Sequence, residues 1–469
     1  MEAFTWLLLG VAGVIALGLL YMTGLLQKFL RYIYGDFTPA ERKKFVLYGG
    51  LFFFIIGIYW SLRCVKDSIF NAFIGSEHTW LVKILSLVVV FPLVIGYSYL
   101  VDIFPRHRLF YAMAIIYAGL FLGLAYLLSN GVYGICAPSD MQCKWIGWAS
   151  YLMIESYGSL MPALFYSFMA DTTTPEAGKK GFFITATFAQ LGAILGSGVV
   201  ATQSLALGVP LLVGIAGGCV LFVLPAVAYI NHAIPKSELT GYQAKGGAAQ
   251  KKTTGFVEGI KLMLSQPYLL GIFVVVAGFE TVATILDLQF KILIAKNTVG
   301  SGAYAAVSGE FGVLMSTIAL ISLLLGIGSI GRKIGLKLSL ALIPLFMIAM
   351  TATMFFWPVL GVAFWVMAIS KGINYALGQP SKEQLFIPTS KDAKYKSKAW
   401  IDMFGSRSAK AAGSAFKGGS KALAKLFGAA ASDLFLGATS VAVCIGWFFV
   451  TLFLGRKHKQ AVEHNEVVC

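Results

Sequence analysis

Charged side chains set inside long apolar runs are where this chain can do chemistry. One run ends in LRCVKD and carries Arg63, Lys66 and Asp67; another, MIESYGSLMPALFYSFMAD, carries Glu155. A third, FETVATILDLQFKI, holds Glu280, Asp287 and Lys291, and QPSKEQLFIP adds Lys382 and Glu383. A charge at the centre of a bilayer costs roughly 2.5–3.5 kcal/mol, so each such residue is a functional candidate. A further set is more regular. At 100° per residue on a helix, Arg407, Lys410, Lys417, Lys421 and Lys425 fall within an arc of about 80°. That stripe is roughly 27 Å long, close to the thickness of a bilayer core. Its other faces are Ala, Gly, Ser, Met, Leu and Phe, which suit close helix packing. The chemistry it implies is recognition of an anion in an aqueous cavity between helices. A helix lying on lipid phosphates is the competing arrangement. Lys66 with Asp67, and Lys382 with Glu383, also read as boundary pairs that snorkel to the interface. Glu155 is harder to place that way, with apolar sequence on both sides and no adjacent cation.

These residues need membrane helices to position them, and the composition supplies those. The chain is 58% hydrophobic and only 12% charged, with a mean hydropathy of +0.78; a soluble protein carries about twice that charged fraction. The expectation is an all-α polytopic membrane protein. Residues 4–26 are long enough to span and lack the basic start of a signal peptide, so they read as an uncleaved helix. Twelve more apolar segments follow, at 45–65, 80–101, 109–129, 145–170, 182–203, 207–230, 267–291, 305–329, 335–351, 354–379, 400–427 and 433–454. Their loops alternate in charge. PRHR (105–108), EAGKK (176–180), the 231–261 stretch, GRK (331–333), SKDAKYKSK (390–398) and RKHK (456–459) share one side. By the positive-inside rule that side is cytoplasmic, which puts the N-terminus outside and the C-terminus inside. The net charge of +16 therefore reports orientation, and nucleic acid is not implied.

Residues 231–258 form one long polar interruption, which reads as a cytoplasmic linker between two six-helix halves, 41–230 and 259–455. Residues 1–40 hold the extra N-terminal helix and its basic connector, and 456–469 form a cytoplasmic tail. EAGKKGFFITATFAQLGAILGS (176–197) and AKYKSKAWIDMFGSRSAKAAGS (393–414) share a basic start, a helix and a closing Gly-Ser, a faint repeat between the halves. Two such halves suggest a major-facilitator-like architecture with its site at the midplane. Counted from the first span after the extra helix, the intramembrane charges lie on helices 1, 4, 7 and 10, which surround the central cavity of that architecture. Nothing points to catalysis or a cofactor. GSAFKGGSK (413–421) has glycines like a phosphate-binding loop, but no Lys-Ser/Thr pair follows its second glycine and no strand precedes it. The six cysteines form no C-x-x-C and the five histidines have no zinc spacing. Cys136 and Cys143 share an outer loop, where they either pair or remain thiols.

The motifs PSKEQLFIP (380–388), K-x-K-x-x-I-D (396–402) and G-S-R-x-x-K-x-x-G-S (405–414) resemble those of a known family. It is the TLC-type nucleotide (ATP/ADP) transporters of plastids and obligate intracellular bacteria. LRCVKD (62–67), the segment around Glu155, EAGKKGFF (176–183) and ILDLQFK (285–291) extend the likeness over roughly residues 40–455. The resemblance implies a Lys and an acid important for transport in each half, falling here on Lys66, Glu155, Asp287 and Lys382. The family usually has Glu where this chain has Asp287, which keeps the charge but shortens the reach. Arg63, Lys291, Arg407 and Lys410 complete the expected substrate-binding set. In this reading the cations neutralise phosphate oxygens and the carboxylates hold those cations when the site is empty. Tyr59, Trp60, Tyr157 and Phe290 are candidates to stack on the base. The expected function is ATP import against ADP by a monomer in a bacterial inner membrane, with a nucleotide and the lipid bilayer as partners. The alternatives are proton-coupled import of a nucleotide or another phosphorylated metabolite, with Glu155 or Asp287 titrating, and a non-transporting membrane scaffold.

Overall fold

A computed structural model describes residues 38–103, 106–138, 140–173, 175–235, 256–324, 335–386, 388–389, 397, 400–401 and 405–464. The apolar run 4–26, most of the 231–258 linker, the GRK loop and most of 390–398 lie outside the described residues. Every regular element among the described residues is a helix. The first group is α1 (Pro39–Phe73), α2 (Thr79–Ile103), α3 (Arg106–Ser129), α4 (Lys144–Asp171), α5 (Pro175–Val220) and α6 (Val223–Ala233). The second is α7 (Phe256–Ser265), α8 (Pro267–Asn297), α9 (Gly300–Leu324), α10 (Leu336–Phe356), α11 (Leu360–Ile373), α12 (Gln379–Leu385), α13 (Ser406–Phe427) and α14 (Ala429–His464). A π-helical stretch, Asn374–Gly378, joins α11 to α12.

Local chemistry sets the helix limits. Thr38 opens α1 with a capping box: its hydroxyl accepts from the Glu41 amide at 3.2 Å, and its own amide donates to the Glu41 carboxylate at 2.9 Å. Pro39 follows at the first helical position, where its missing N–H costs nothing. Inside α5, Gly208 adopts φ 75°, a conformation that favours glycine, and Pro210 starts the second pass. Seven helical stretches among the described residues are long and apolar enough to cross a bilayer, and Ile184–Ala233, which contains the Gly208 turn, is one of them. α13 is too polar to be among them, because it carries the lysine stripe.

Two apolar clusters sit side by side. One runs from Phe45 to Ile234 on α1 and α3–α6, with Ala305 added from α9; the other runs from Met263 to Leu454. In the first, Phe52 stacks on Phe165 at 4.1 Å. The second is centred on the buried Trp447 of α14, which meets Phe279 edge-on. Lipid tails are as apolar as leucine, so close packing holds such helices together, and small residues allow it. A Cβ on Gly192 would lie 2.2 Å from the Phe53 carbonyl oxygen, and one on Gly196 would lie 2.0 Å from that of Gly57. α1 and α5 therefore touch backbone to backbone. We expect Gly196→Leu to abolish a monodisperse peak in size-exclusion chromatography. Gly119→Leu, at a site with nothing within 4 Å of the added Cβ, should leave that peak intact.

The two groups of helices meet along a seam of the same kind. A Cβ on Gly309 of α9 would come 2.5 Å from the Ala201 nitrogen of α5, and one on Gly312 would come 2.4 Å from Ser197 Oγ. Ser204 Oγ donates to the Gly302 carbonyl at 2.9 Å. On the other flank, Trp80 of α2 packs on Gly418 of α13. This seam closes the end of the bundle that carries the turns at Gly75, Gly208 and Gly300.

Candidate functional site

Between the two groups of helices lies a cavity of about 430 Å³. α1 presents Tyr59, Arg63 and Lys66 to it, spaced i, i+4, i+7 and so on one helix face. α8 does the same with Glu280, Asp287 and Lys291, at i, i+7 and i+11. α4 contributes Glu155 and Ser159, α2 contributes Lys83, α11 contributes Lys371, and α13 contributes Arg407 and Lys410.

The charges are organised into pairs. Lys66 and Glu155 are in direct contact within the first group, and the Lys66 ammonium also sits 4.1 Å over the Tyr151 ring. Lys83 Nζ is 2.6 Å from Asp287 Oδ2, while Lys291 Nζ is 2.9 Å from Asp67 Oδ2 and 3.3 Å from Asp287 Oδ2. The result is an alternating chain, Asp67–Lys291–Asp287–Lys83, that crosses between the two groups twice. Lys410 Nζ lies 3.6 Å from Glu280 Oε2, and Ser406 Oγ donates to Glu280 Oε1 at 3.1 Å. Arg407 Nη2 donates to Ser159 Oγ at 2.7 Å, again between groups. The Arg63 guanidinium stacks 4.7 Å over the Trp60 ring. Seven cations thus line the cavity against four carboxylates, an excess of three positive charges. A low-dielectric cleft of one sign focuses its field and gathers counter-ions.

Nine of the charged residues singled out in the sequence meet in this cavity: Arg63, Lys66, Asp67, Glu155, Glu280, Asp287, Lys291, Arg407 and Lys410. Lys382 does not. It lines an adjoining pocket of about 180 Å³ with Phe279, Glu280, Asn374, Ser406 and Trp447. The two spaces share Glu280, Asn374 and Ser406. Neighbours in sequence are not partners here: Lys66 takes Glu155 and leaves Asp67 to Lys291. The stripe on α13 splits. Arg407 and Lys410 face the cavity, whereas the buried Lys417 donates to Gln289 Oε1 at 3.0 Å, and Gln289 Nε2 donates to Asp433 at 3.0 Å. α13 packs between α2, α8 and α14 rather than lying on a surface. Tyr59, Trp60 and Phe290 line the cavity, but Tyr157 is buried among Tyr117 and Phe121 in the first cluster. Cys136 and Cys143 are free thiols. Among the described residues no cluster of His, Cys, Asp and Glu could hold a metal. Lys83 and Lys371 are the cavity residues that sequence reasoning passed over, although each interrupts an apolar run, TWLVKILSL and MAISKGINYA.

Paired helical groups closed around a charged central cavity make a major-facilitator-type architecture. Solved structures share the architecture. A bacterial homologue of the human lysosomal transporter Spinster, inward-facing and unoccupied, superposes with a TM-score of 0.58 at 14% identity, covering 90% of this chain and 99% of that one. An inward-facing bacterial homologue of the iron transporter ferroportin gives 0.59 at 11%, covering 89% and 100%. The family model described as TLC ATP/ADP transporter matches residues 128–364 and 358–458, and the chain belongs to that family. Its relatives include ADP,ATP carrier protein 1 of Rickettsia prowazekii (strain Madrid E), 24% identical over 93% of this chain and 97% of that protein. ADP,ATP carrier protein 1 of Chlamydia muridarum is 25% identical over 81% and 82%. The chloroplastic ADP,ATP carrier protein 1 of Arabidopsis thaliana is 24% identical over 78% and 66%.

Proposed function

We infer that this protein is a nucleotide transporter that exchanges ATP for ADP across a membrane. The observation that carries the reading is the cavity: it is built by both helical groups of a TLC-family chain and holds an excess of three positive charges. Nucleotide phosphates supply the missing negative charge through charge-assisted hydrogen bonds. The working substrate site comprises Lys66, Glu155, Asp287, Lys382, Arg63, Lys291, Arg407 and Lys410, joined by Lys83. In the empty carrier the carboxylates occupy the lysines. Arriving phosphates replace them, so an incoming nucleotide trades places with an internal ion pair before it trades places with the outgoing nucleotide. No catalytic step enters this scheme.

The protein acts as a monomer in a bacterial inner membrane, with its N-terminus outside and the 231–258 linker and C-terminus in the cytoplasm. The basic loops between spans support this orientation. In this frame the glycine seam closes the outer side. Reporter fusions within 236–255 should score cytoplasmic; an external reporter signal there would invert the topology.

Uptake of labelled ATP into cells expressing the carrier, with and without internal ADP, tests the exchange. Uptake should require internal ADP. Uptake that instead needs a proton gradient and no internal nucleotide would mean proton-coupled import, and no uptake in inserted protein would mean a scaffold. Competition should follow charge, with ADP far ahead of AMP and adenosine without effect. High salt should flatten that order, because the Debye length falls from about 10 Å at 0.1 M to about 3 Å at 1 M. If adenosine competes as well as ADP, recognition rests on the base and not on the phosphates.

A further inference from the structure

Every carboxylate in the cavity is already engaged. Glu155 holds Lys66, Asp67 holds Lys291, Asp287 holds Lys83 and Lys291, and Glu280 holds Lys410 and Ser406. Arg407 donates to the neutral Ser159. Two of the lining cations remain, Arg63 and Lys371. Apart from the stacking of Arg63 on Trp60, neither side chain makes a hydrogen bond or ion pair among the described residues. They line one cavity from different helical groups, on α1 and α11, and both feel the charge of Asp287. Lys371 lies three residues before the π-helical stretch Asn374–Gly378, and such interruptions of an α-helix are frequent at functional sites.

Two cations of one cavity that no carboxylate touches keep their hydrogen-bond donors open to a ligand, and in low-dielectric surroundings a charged ligand gains most from them. Arg63 brings a planar fork suited to two phosphate oxygens, and Lys371 brings a point charge. Resting on the exchange reading above, we propose that Arg63 and Lys371 form the phosphate subsite of this carrier, a two-pronged clamp for a linear polyphosphate. One prong comes from each helical group, so a chain of two or three phosphates ties the groups together. A lone phosphate engages one prong. The clamp thereby selects ATP and ADP over AMP by reach as well as by charge, and the base contributes nothing to it.

The test uses the purified full-length carrier in detergent with inorganic tripolyphosphate as the probe. Tripolyphosphate should raise the thermal midpoint of the wild type and displace labelled ATP, whereas adenosine should do neither. Lys371→Met and Arg63→Gln should each weaken ATP binding about ten-fold or more, as expected for losing a hydrogen bond to a charged group. Both should also abolish displacement by tripolyphosphate, and Lys371→Arg should restore it. The unliganded Lys371→Met protein should be at least as heat-stable as wild type, a result that loss of a merely structural lysine would not give. The clamp is overturned if wild-type carrier binds ATP but tripolyphosphate cannot displace it. It is also overturned if Lys371→Met binds both ligands as wild type does. Should a variant fail to accumulate, the wild-type arm decides alone. Tripolyphosphate binding without ATP binding or uptake would instead refute the exchange reading and leave the clamp standing; binding of neither would sink both.

Discussion

Lys66→Glu should reduce nucleotide uptake to background while the protein still inserts. The new carboxylate would face Glu155, with which Lys66 is in direct contact, and Lys66 is only 4% exposed. Breaking a buried ion pair by removing one partner costs about 3–5 kcal/mol. On a binding step that is roughly two to nearly four orders of magnitude. Lys66→Glu combined with Glu155→Lys keeps the pair with its members exchanged, and it should recover part of the uptake. Lys382→Glu, placed beside Glu280 in the adjoining pocket, should lose uptake as well. Membrane fractionation and uptake of labelled ATP measure both quantities. If inserted Lys66→Glu protein retains most of its uptake, Lys66 is an interface anchor and the cavity works without it.

Asp67→Asn should open the carrier along the glycine seam, the outer side in the proposed topology. Asp67 holds Lys291 at 2.9 Å across the two helical groups, and its second oxygen has no hydrogen-bond partner among the described residues. Nothing else on Asp67 replaces that contact. The chain supplies its own reporter. Cys64 is buried at the seam, with Sγ 3.8 Å from Ser197 Oγ and 3.5 Å from the Ser308 carbonyl. In a background carrying Cys136→Ser and Cys143→Ser, an impermeant thiol reagent added from outside should reach Cys64 only when the seam parts. A hydrogen bond between charged groups is worth about 1.5–3 kcal/mol, so labelling should accelerate ten-fold or more. An unchanged rate in Asp67→Asn would show that the glycine contacts alone keep the outer side shut.

Much of this was legible in the residue order because cost in a membrane is local. A carboxylate or ammonium inside an apolar run is conspicuous whatever surrounds it, and Glu155, Asp287 and Lys291 stood out on that ground. Helical angle likewise placed Arg407 and Lys410 on one face. Angle says nothing of what the face meets. Along α13 the neighbour changes from the cavity to Gln289 of α8, so the same stripe serves an open site at one end and a buried hydrogen bond at the other. Lys83, four residues inside α2, has the position of a snorkelling lysine, and only its pairing with a residue 204 positions away reveals its role. Partners across the seam depend on the register of two helical groups, and no local pattern encodes that register. The pairing of Lys66 with Glu155 lies within one group; adjacency pointed to Asp67, and only the family resemblance named Lys66 and Glu155 together.

The reciprocal chain Asp67–Lys291–Asp287–Lys83 has a consequence for how the carrier senses voltage. Each helical group contributes one acid and one base to it, Asp67 with Lys83 and Asp287 with Lys291. When the groups part, each retains a neutral couple, so the membrane field does almost no net work on the latch. What the field acts on is the cargo. ATP carries roughly one more negative charge than ADP, and a unit charge crossing 100 mV is worth about 2.3 kcal/mol. Exchange of unlike nucleotides is then electrogenic and exchange of ATP for ATP is silent, so the direction of net flow is set by the membrane potential and the nucleotide gradients and not by the protein.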